Sequence, residues 1–215
     1  MTFRSSLVIA VDGPAASGKG TIARALAAHY RLPHLDTGLL YRAVGTLVAR
    51  EGLDPANETA ALAAVGFDDA LLDDPALRSE EAGRLASIVS AHPLVRSALL
   101  HRQRRFAQQP GGAVLDGRDI GTVIAPDADA KLFVKATPRI RAQRRFAEMQ
   151  RRGEPISFDR VLADIRDRDQ RDAGRATAPL TMAADAALLD TSFLSIEAAI
   201  QRAITLVEAR TAAAA

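Results

Sequence analysis

The stretch Gly13-Pro14-Ala15-Ala16-Ser17-Gly18-Lys19-Gly20-Thr21 sets two glycines and a lysine at fixed spacing, directly after an apolar run from Leu7 to Val11. It leads into Ile22-Ala23-Arg24-Ala25-Leu26-Ala27, a composition that suits a helix. Strand, glycine-rich turn, lysine and helix together make a cradle for an anion. Backbone N–H groups of the turn and of the helix's first turn point inward, and the helix dipole adds about half a positive charge there. Gly13 and Gly18 let the backbone curl without a Cβ in the way, and Lys19 supplies a mobile point charge for the β- and γ-phosphates of a nucleotide. Lys19, Lys131 and Lys135 are the only lysines in a chain that otherwise writes positive charge as arginine. The strict form of this loop has Ser or Thr at position 20 to meet magnesium. Gly20 stands there instead, with Thr21 one residue later, which leaves Ser17 or a bridging water for that contact.

Three apolar runs end in an acid: Val11-Asp12, Leu35-Asp36 and Leu115-Asp116. Beside a phosphate loop, three strand-end carboxylates suit the wall of a magnesium and phosphate site better than capping alone, and Asp116 is nearest to a Walker-B pattern. Four further clusters carry polar chemistry: Asp36-Thr37-Gly38 with Tyr41-Arg42; Ser87 with Arg96; Asp116-Gly117-Arg118-Asp119; and Arg168 to Arg175. On a helix, Arg168, Asp172 and Arg175 fall at i, i+4 and i+7 and share one face. Paired charges on a solvated face would also explain that stretch, since Asp164–Arg168 and Asp167–Arg171 are i, i+4 neighbours. The four histidines, His29, His34, His92 and His101, are scattered without ligand spacing and read as surface or satisfied core residues.

Elements must position these groups. Strands are expected over Leu7–Val11, Pro33–Leu35, Ala113–Leu115, Lys131–Lys135 and Ala187–Leu189. Helices are expected over Lys19–Tyr30, Thr37–Arg50 with Asp36 and Thr37 as cap residues, Ala56–Val65, and Ser79–Ala91 with Ser79 as cap. Further helices are expected from Pro93 to about Gln108 and closed by Gly111-Gly112, over Pro138–Arg151, from Phe158 to about Arg171, and over Ser195–Arg210. Strands alternating with helices imply a parallel sheet covered on both faces, with ligands at the carboxyl ends of its strands. The tail Ala212–Ala215 is expected to fray. At 215 residues, 48% apolar and 25% charged, the chain reads as one globular domain of an enzyme. A net charge of +2 with both signs interleaved argues against a nucleic-acid coat and fits small anionic substrates. The absence of cysteine removes disulfides, thiolate chemistry and cysteine-ligated zinc. No apolar segment reaches membrane length, and Met1–Ser6 lacks the build of a signal peptide, so the cytoplasm is the expected address.

Taken in order, G-P-A-A-S-G-K-G-T, D-T-G-L-L-Y-R, the segment Ser87–Arg105, D-G-R-D-I-G-T-V and R-D-Q-R-D-A-G-R-A-T-A-P-L run from Gly13 to Leu180 and resemble the bacterial cytidylate kinases, a branch of the nucleoside-monophosphate kinases. The resemblance implies an α/β fold: a P-loop kinase core with a five-stranded parallel sheet, a mobile lid at about 150–158 and a monophosphate-binding subdomain at about 37–108. It implies ATP and Mg²⁺ as cofactors. Lys19 with Arg42, Arg118 and Arg175 would be the catalytic group, the three arginines holding the acceptor phosphate. Arg168 and Asp172 would hold the ribose with Thr37 and Tyr41 nearby, and Ser87, Arg96 and Asp119 would read cytosine. The metal ligands stay open, with Asp36 and Asp116 as candidates and most coordination supplied by phosphates and water. The G-K-G-T form belongs to this family's pattern. One departure stands out, since the family's small antiparallel insert after the Tyr-Arg helix is trimmed here to about Val65–Arg78, with little beyond Ala70-Leu71-Leu72.

The base assignment has a chemical logic. Cytosine offers an amino donor at N4, which a carboxylate accepts, and acceptors at N3 and O2, which an arginine satisfies; uracil would set lone pair against lone pair. The implied reaction is ATP + (d)CMP ⇌ ADP + (d)CDP, by a monomer without nucleic-acid or membrane partners. Arg141, Arg144 and Arg145, on the helix leading to Gly153, are candidates for closing over the transferring phosphoryl group, or they form an exposed basic face. Rival readings are a P-loop kinase for another acceptor, such as shikimate or gluconate, and a regulatory or nucleic-acid-handling ATP module. The 4% aromatic content argues against the last.

Overall fold

Consecutive Ile9, Ala10 and Val11 are all fully buried, which requires cover on both faces of their strand and explains why that run is apolar without alternation. A computed structural model describes residues 6–153, 155–175 and 177–212. Five strands, β1 (Ser6–Asp12), β2 (His34–Asp36), β3 (Gly111–Gly117), β4 (Ala130–Lys135) and β5 (Ala187–Asp190), form one sheet in the order β2-β3-β1-β4-β5. The β1–β3, β1–β4 and β4–β5 pairings are parallel, with Asp12 opposite both Gly117 and Phe133. The helices are α1 (Lys19–Tyr30), α2 (Thr37–Arg50), α3 (Glu58–Ala63), α4 (Glu80–Val89), α5 (Pro93–Ala107), α6 (Pro138–Arg151), α7 (Phe158–Ala173) and α8 (Ile196–Ala212). The expected α/β fold with a five-stranded parallel sheet is present. Among the described residues no helix is long and apolar enough to cross a membrane.

The chain divides into two compact units, Met1–Leu35 with Ala107–Ala215, and Asp36–Phe106. In the first, Ile9, Val11, Val114, Leu132 and Val134 of the sheet pack with Ile22 and Leu26 of α1 and Ala203 and Val207 of α8. A smaller cluster, Ala142, Met149, Val161 and Ile165, joins α6 to α7. In the second unit α2 packs on α4, and side-chain caps start its helices: Asp36 Oδ1 accepts from Gly38 N at 3.0 Å, Asn57 from Ala60 N at 3.1 Å and Ser79 from Ala82 N at 3.1 Å.

Several boundaries differ from the sequence reading. Gly111 and Gly112 do not close a helix; they begin β3, because β1 passes so close that a Cβ on Gly112 would lie 2.1 Å from the Leu7 carbonyl oxygen. The trimmed region 64–78 folds as three successive 3-10 turns and no strand. Residues 120–124 form a single π-turn that no apolar period announced. The segment 150–158 links α6 to α7, with Gly153 at φ 73°; Glu154 lies outside the described residues, as do Ala213–Ala215 of the tail and Met1–Ser5.

Candidate active site

The phosphate loop joins β1 to α1. A Cβ on Gly13 would lie 2.1 Å from the Val134 carbonyl oxygen, so glycine is the only residue that lets the loop leave the sheet here. Gly18, at φ 91°, occupies the cap position of α1, and its carbonyl accepts from Thr21 N and Ile22 N at 3.1 Å each. No side chain caps this helix, which leaves its N-terminus suited to an external anion. The loop is braced from outside through its carbonyls: Ala15 O accepts from Arg141 at 3.2 Å, and Ser17 O from Thr191 Oγ1 at 2.9 Å and Arg144 at 3.3 Å.

This bracing changes the reading of two features. The Ser17 side chain is fully buried and its hydroxyl meets no partner, so it is not presented to a metal in this conformation. Arg141 and Arg144 do not form an exposed basic face. Arg141 is 3% exposed and also bonds the Ala136 carbonyl at 2.9 Å and the Asp169 carboxylate at 2.5 and 2.9 Å. Arg144 reaches Thr191 O at 2.6 Å, and Arg145 bonds Glu148 at 2.7 Å within α6.

At the carboxyl end of β3, Asp116 is 1% exposed and faces Lys19 and His34. Its Oδ2 lies 3.9 Å from Lys19 Nζ, and its Oδ1 lies 2.8 Å from His34 Nε2. The sequence offers His34 as a surface or satisfied core residue; its pairing with Asp116 depends on β2 lying beside β3, which no local pattern announces. Asp36, the other metal candidate, uses Oδ1 to cap α2. Asp12 turns away from a metal role altogether, accepting from the backbone amides of Ile120 and Gly121 at 2.8 Å each. Among the described residues no three His, Cys, Asp or Glu side chains are grouped to hold a metal. The Asp116 carboxylate thus stands beside the Lys19 ammonium at the mouth of the phosphate loop.

Near the end of α7, Asp172 is 1% exposed and joins two arginines. Arg118 Nε donates to its Oδ2 at 2.8 Å, and Arg175 Nη2 donates to its Oδ1. Burial alone would raise the Asp172 pKa, but the charges of Arg118, Arg175 and Arg168, with the Arg118 hydrogen bond, overcome it and hold the carboxyl below its ordinary range. Arg175 lies beyond the helix, after the Gly174 cap, so it reaches Asp172 from the following turn and not from a shared helical face. Asp119 is buried at the head of the π-turn. Arg168, on α7, is half-buried.

In the second unit, Thr37, Tyr41, Ser87 and Arg96 are all buried. The Arg96 guanidinium stands 5.7 Å from the centre of the Tyr41 ring and donates to Ser90 O at 3.3 Å, while Ser90 Oγ donates to Ser87 O at 3.3 Å. Arg42 Nη1 donates to the carbonyls of Leu77 and Ser79 at 2.8 and 3.0 Å, which ties the 3-10 region to α2.

A gluconokinase from Sinorhizobium meliloti superposes with a TM-score of 0.54 over 99% of this chain and 97% of its own; at 15% identity this shows a shared fold alone. An uncharacterized protein from Eubacterium ventriosum gives the same TM-score and identity over 95% and 99%. Sequence similarity reaches further. The protein is 60% identical to a cytidylate kinase from Xanthobacter autotrophicus over 96% of this chain and 99% of that one. It is 58% identical to a cytidylate kinase from a Bradyrhizobium species over 94% and 96%. The family model described as cytidylate kinase matches residues 9–209, which takes in the phosphate loop and the Arg118–Asp172–Arg175 cluster, and so the chain belongs to the cytidylate kinase family and is a phosphoryl-transferring enzyme.

Proposed function

We propose that the protein transfers the γ-phosphoryl group of ATP to CMP and dCMP, giving ADP and the cytidine diphosphates. The observation that carries this reading is the Arg118–Asp172–Arg175 cluster: two guanidinium groups fixed on one buried carboxylate, in the unit that also carries the phosphate loop. One carboxylate balances only one of the two guanidinium charges, which leaves a site with net positive charge and preset donors that suits a phosphate dianion.

The Gly13–Thr21 loop and Lys19 would hold the donor phosphates, and Mg²⁺, when bound, would spread the charge that builds on the transferred group. Arg42, Arg118 and Arg175 would hold the acceptor phosphate. Its oxygen is the nucleophile and is already largely ionised near pH 7, so no side chain needs to remove a proton. The oxygen attacks the γ-phosphorus, the bond to the ADP oxygen breaks, and ADP leaves with its charge. The protein's share is alignment and charge, bringing two polyanions together against repulsion. Arg168, Asp172, Thr37 and Tyr41 would take the ribose; each Asp172 oxygen accepts one arginine and keeps a second lone pair for a hydroxyl. Ser87, Arg96 and Asp119 would read cytosine. The unit Asp36–Phe106 would serve as the monophosphate-binding region and 150–158 as the lid, within a monomer that needs neither nucleic acid nor membrane.

A coupled ADP-release assay over CMP, dCMP, UMP, AMP, GMP and shikimate tests this. CMP and dCMP should turn over fastest. Turnover without any acceptor dependence, or UMP or AMP preferred over CMP, would overturn the assignment.

A further inference from the structure

The crest of the phosphate loop carries a strained residue. Ala16 sits at φ 57°, in the left-handed region that glycine occupies freely and an L side chain does not. The carbonyls of the residues on either side of it are both tied to the framework behind the loop. Ala15 O accepts from Arg141 Nη1 at 3.2 Å, and Ser17 O accepts from Thr191 Oγ1 at 2.9 Å and from Arg144 at 3.3 Å. The Ala16 side chain packs against the apolar cluster that joins α6 to α7.

Peptide planarity gives these ties a consequence. No peptide bond of the described residues is cis, and in a trans peptide the carbonyl and the following N–H point to opposite sides. A carbonyl drawn out toward Arg141 or Thr191 therefore turns the next amide the other way. The two amides so directed are those of Ala16 and Gly18, in the stretch whose N–H groups would meet the donor phosphates.

Both ties are themselves held. Arg141 is 3% exposed, and its fork closes on Asp169 of α7, Nη1 to Oδ1 at 2.9 Å and Nη2 to Oδ2 at 2.5 Å, while its Nε donates to Ala136 O at 2.9 Å. The bidentate pair fixes the plane of the guanidinium, so the nitrogen that meets Ala15 O has little freedom. Thr191 is buried, and its own amide donates to Lys135 O at 2.8 Å, which sets its hydroxyl at the end of β4.

We propose that Asp169 and Thr191 are positioning residues for the donor nucleotide: Asp169 through Arg141, and Thr191 directly, pin the carbonyls of Ala15 and Ser17 outward and so keep the amides of Ala16 and Gly18 turned into the loop. The inference rests on the reading of Gly13–Thr21 as the donor phosphate site. A cradle set in this way does not have to be ordered by the nucleotide when it binds.

Binding of ADP without an acceptor, measured by titration calorimetry, reads the donor side alone. Asp169→Asn and Thr191→Val should each weaken ADP by about five- to tenfold and raise the KM for ATP to match. The KM for CMP should stay within about twofold, even though Asp169 shares α7 with Arg168 and Asp172; a general disturbance of that helix would raise it equally. Asp169→Asn made on top of Arg141→Met should weaken ADP no further than Arg141→Met alone, because the carboxylate acts through the guanidinium. Thr191→Val keeps the shape and leaves α7 untouched, so it decides the matter where Asp169→Asn unfolds. An ADP affinity unchanged in either folded variant overturns that residue's role. A loss shared equally by ADP and CMP, or additive effects at Asp169 and Arg141, overturns the proposal. A wild-type enzyme that does not bind ADP would instead overturn the reading of the loop on which it rests.

Discussion

Two buried aspartates carry opposite electrostatic balances, and the difference is set by what surrounds each carboxylate. Asp172 lies among arginines and is held below the ordinary carboxylate range, so its stabilising share is present above that range and is lost as pH falls through and below it. Asp12 has only amides, and burial lifts its pKa from 3.8 to about 6. Between those two values the native state binds the Asp12 proton more tightly than the unfolded chain does, so this group's contribution to stability falls as pH rises across the window. Urea unfolding of the wild type and of Asp12→Asn should separate this contribution, since everything else titrates in both. The wild type should gain on the variant by about 2 kcal/mol when pH is lowered from 7.5 to 4.5. A difference that does not change with pH would contradict the raised pKa. Both residues were visible in the sequence, but their environments were not. Asp12 read as one of three acids lining a metal and phosphate site, and His34 read as incidental, because what each side chain meets depends on segments far away along the chain.

At the level of elements, local chemistry was readable wherever it is local in origin. Lys19–Tyr30, Thr37–Arg50 and Pro138–Arg151 form helices with the expected bounds, and Asp36 and Ser79 cap as their residue types predict. The π-turn at 120–124 and the 3-10 turns through 64–78 were not readable, because neither follows a period of 3.6 or 2 and both are held by tertiary partners. The contact of α2 with α4 shows how packing overrides propensity. Gly45 sits in mid-helix, where alanine would be better by about 1 kcal/mol on helix propensity alone. Its added Cβ, however, would lie 2.7 Å from Leu85 Cβ and 3.0 Å from the Leu85 backbone carbon. Overpacking of this kind costs about 1–3 kcal/mol. Gly45→Ala should therefore destabilise the protein by up to about 2 kcal/mol net in thermal or urea unfolding, and a stabilised variant would mean the two helices separate without cost.

Over the whole molecule the candidate residues fall into two units with separate scaffolds, one built on the sheet and one on α2 and α4. Ligands should therefore leave separate footprints in amide hydrogen exchange. ATP should slow exchange across Gly13–Ile22, while CMP should slow it at Thr37–Arg42 and Ser87–Arg96 as well as at Arg118–Gly121. One uniform pattern for both ligands would contradict the division of duties. The sequence by itself determined the phosphate loop, the alternation of strand and helix, the family, and the residue types offered to a nucleotide. Those follow from backbone freedom at glycine, from apolar period and from short-range capping, all of which act within a few residues. Only the tertiary structure decided the strand order β2-β3-β1-β4-β5, the bracing of the loop by Arg141, Arg144 and Thr191, the pairing of His34 with Asp116, and the hold of Asp12 on the turn after Asp119. Each of these joins groups from separate segments, and burial sets their energies: a carboxylate has a partner, a cost and a role only once the fold has removed its water.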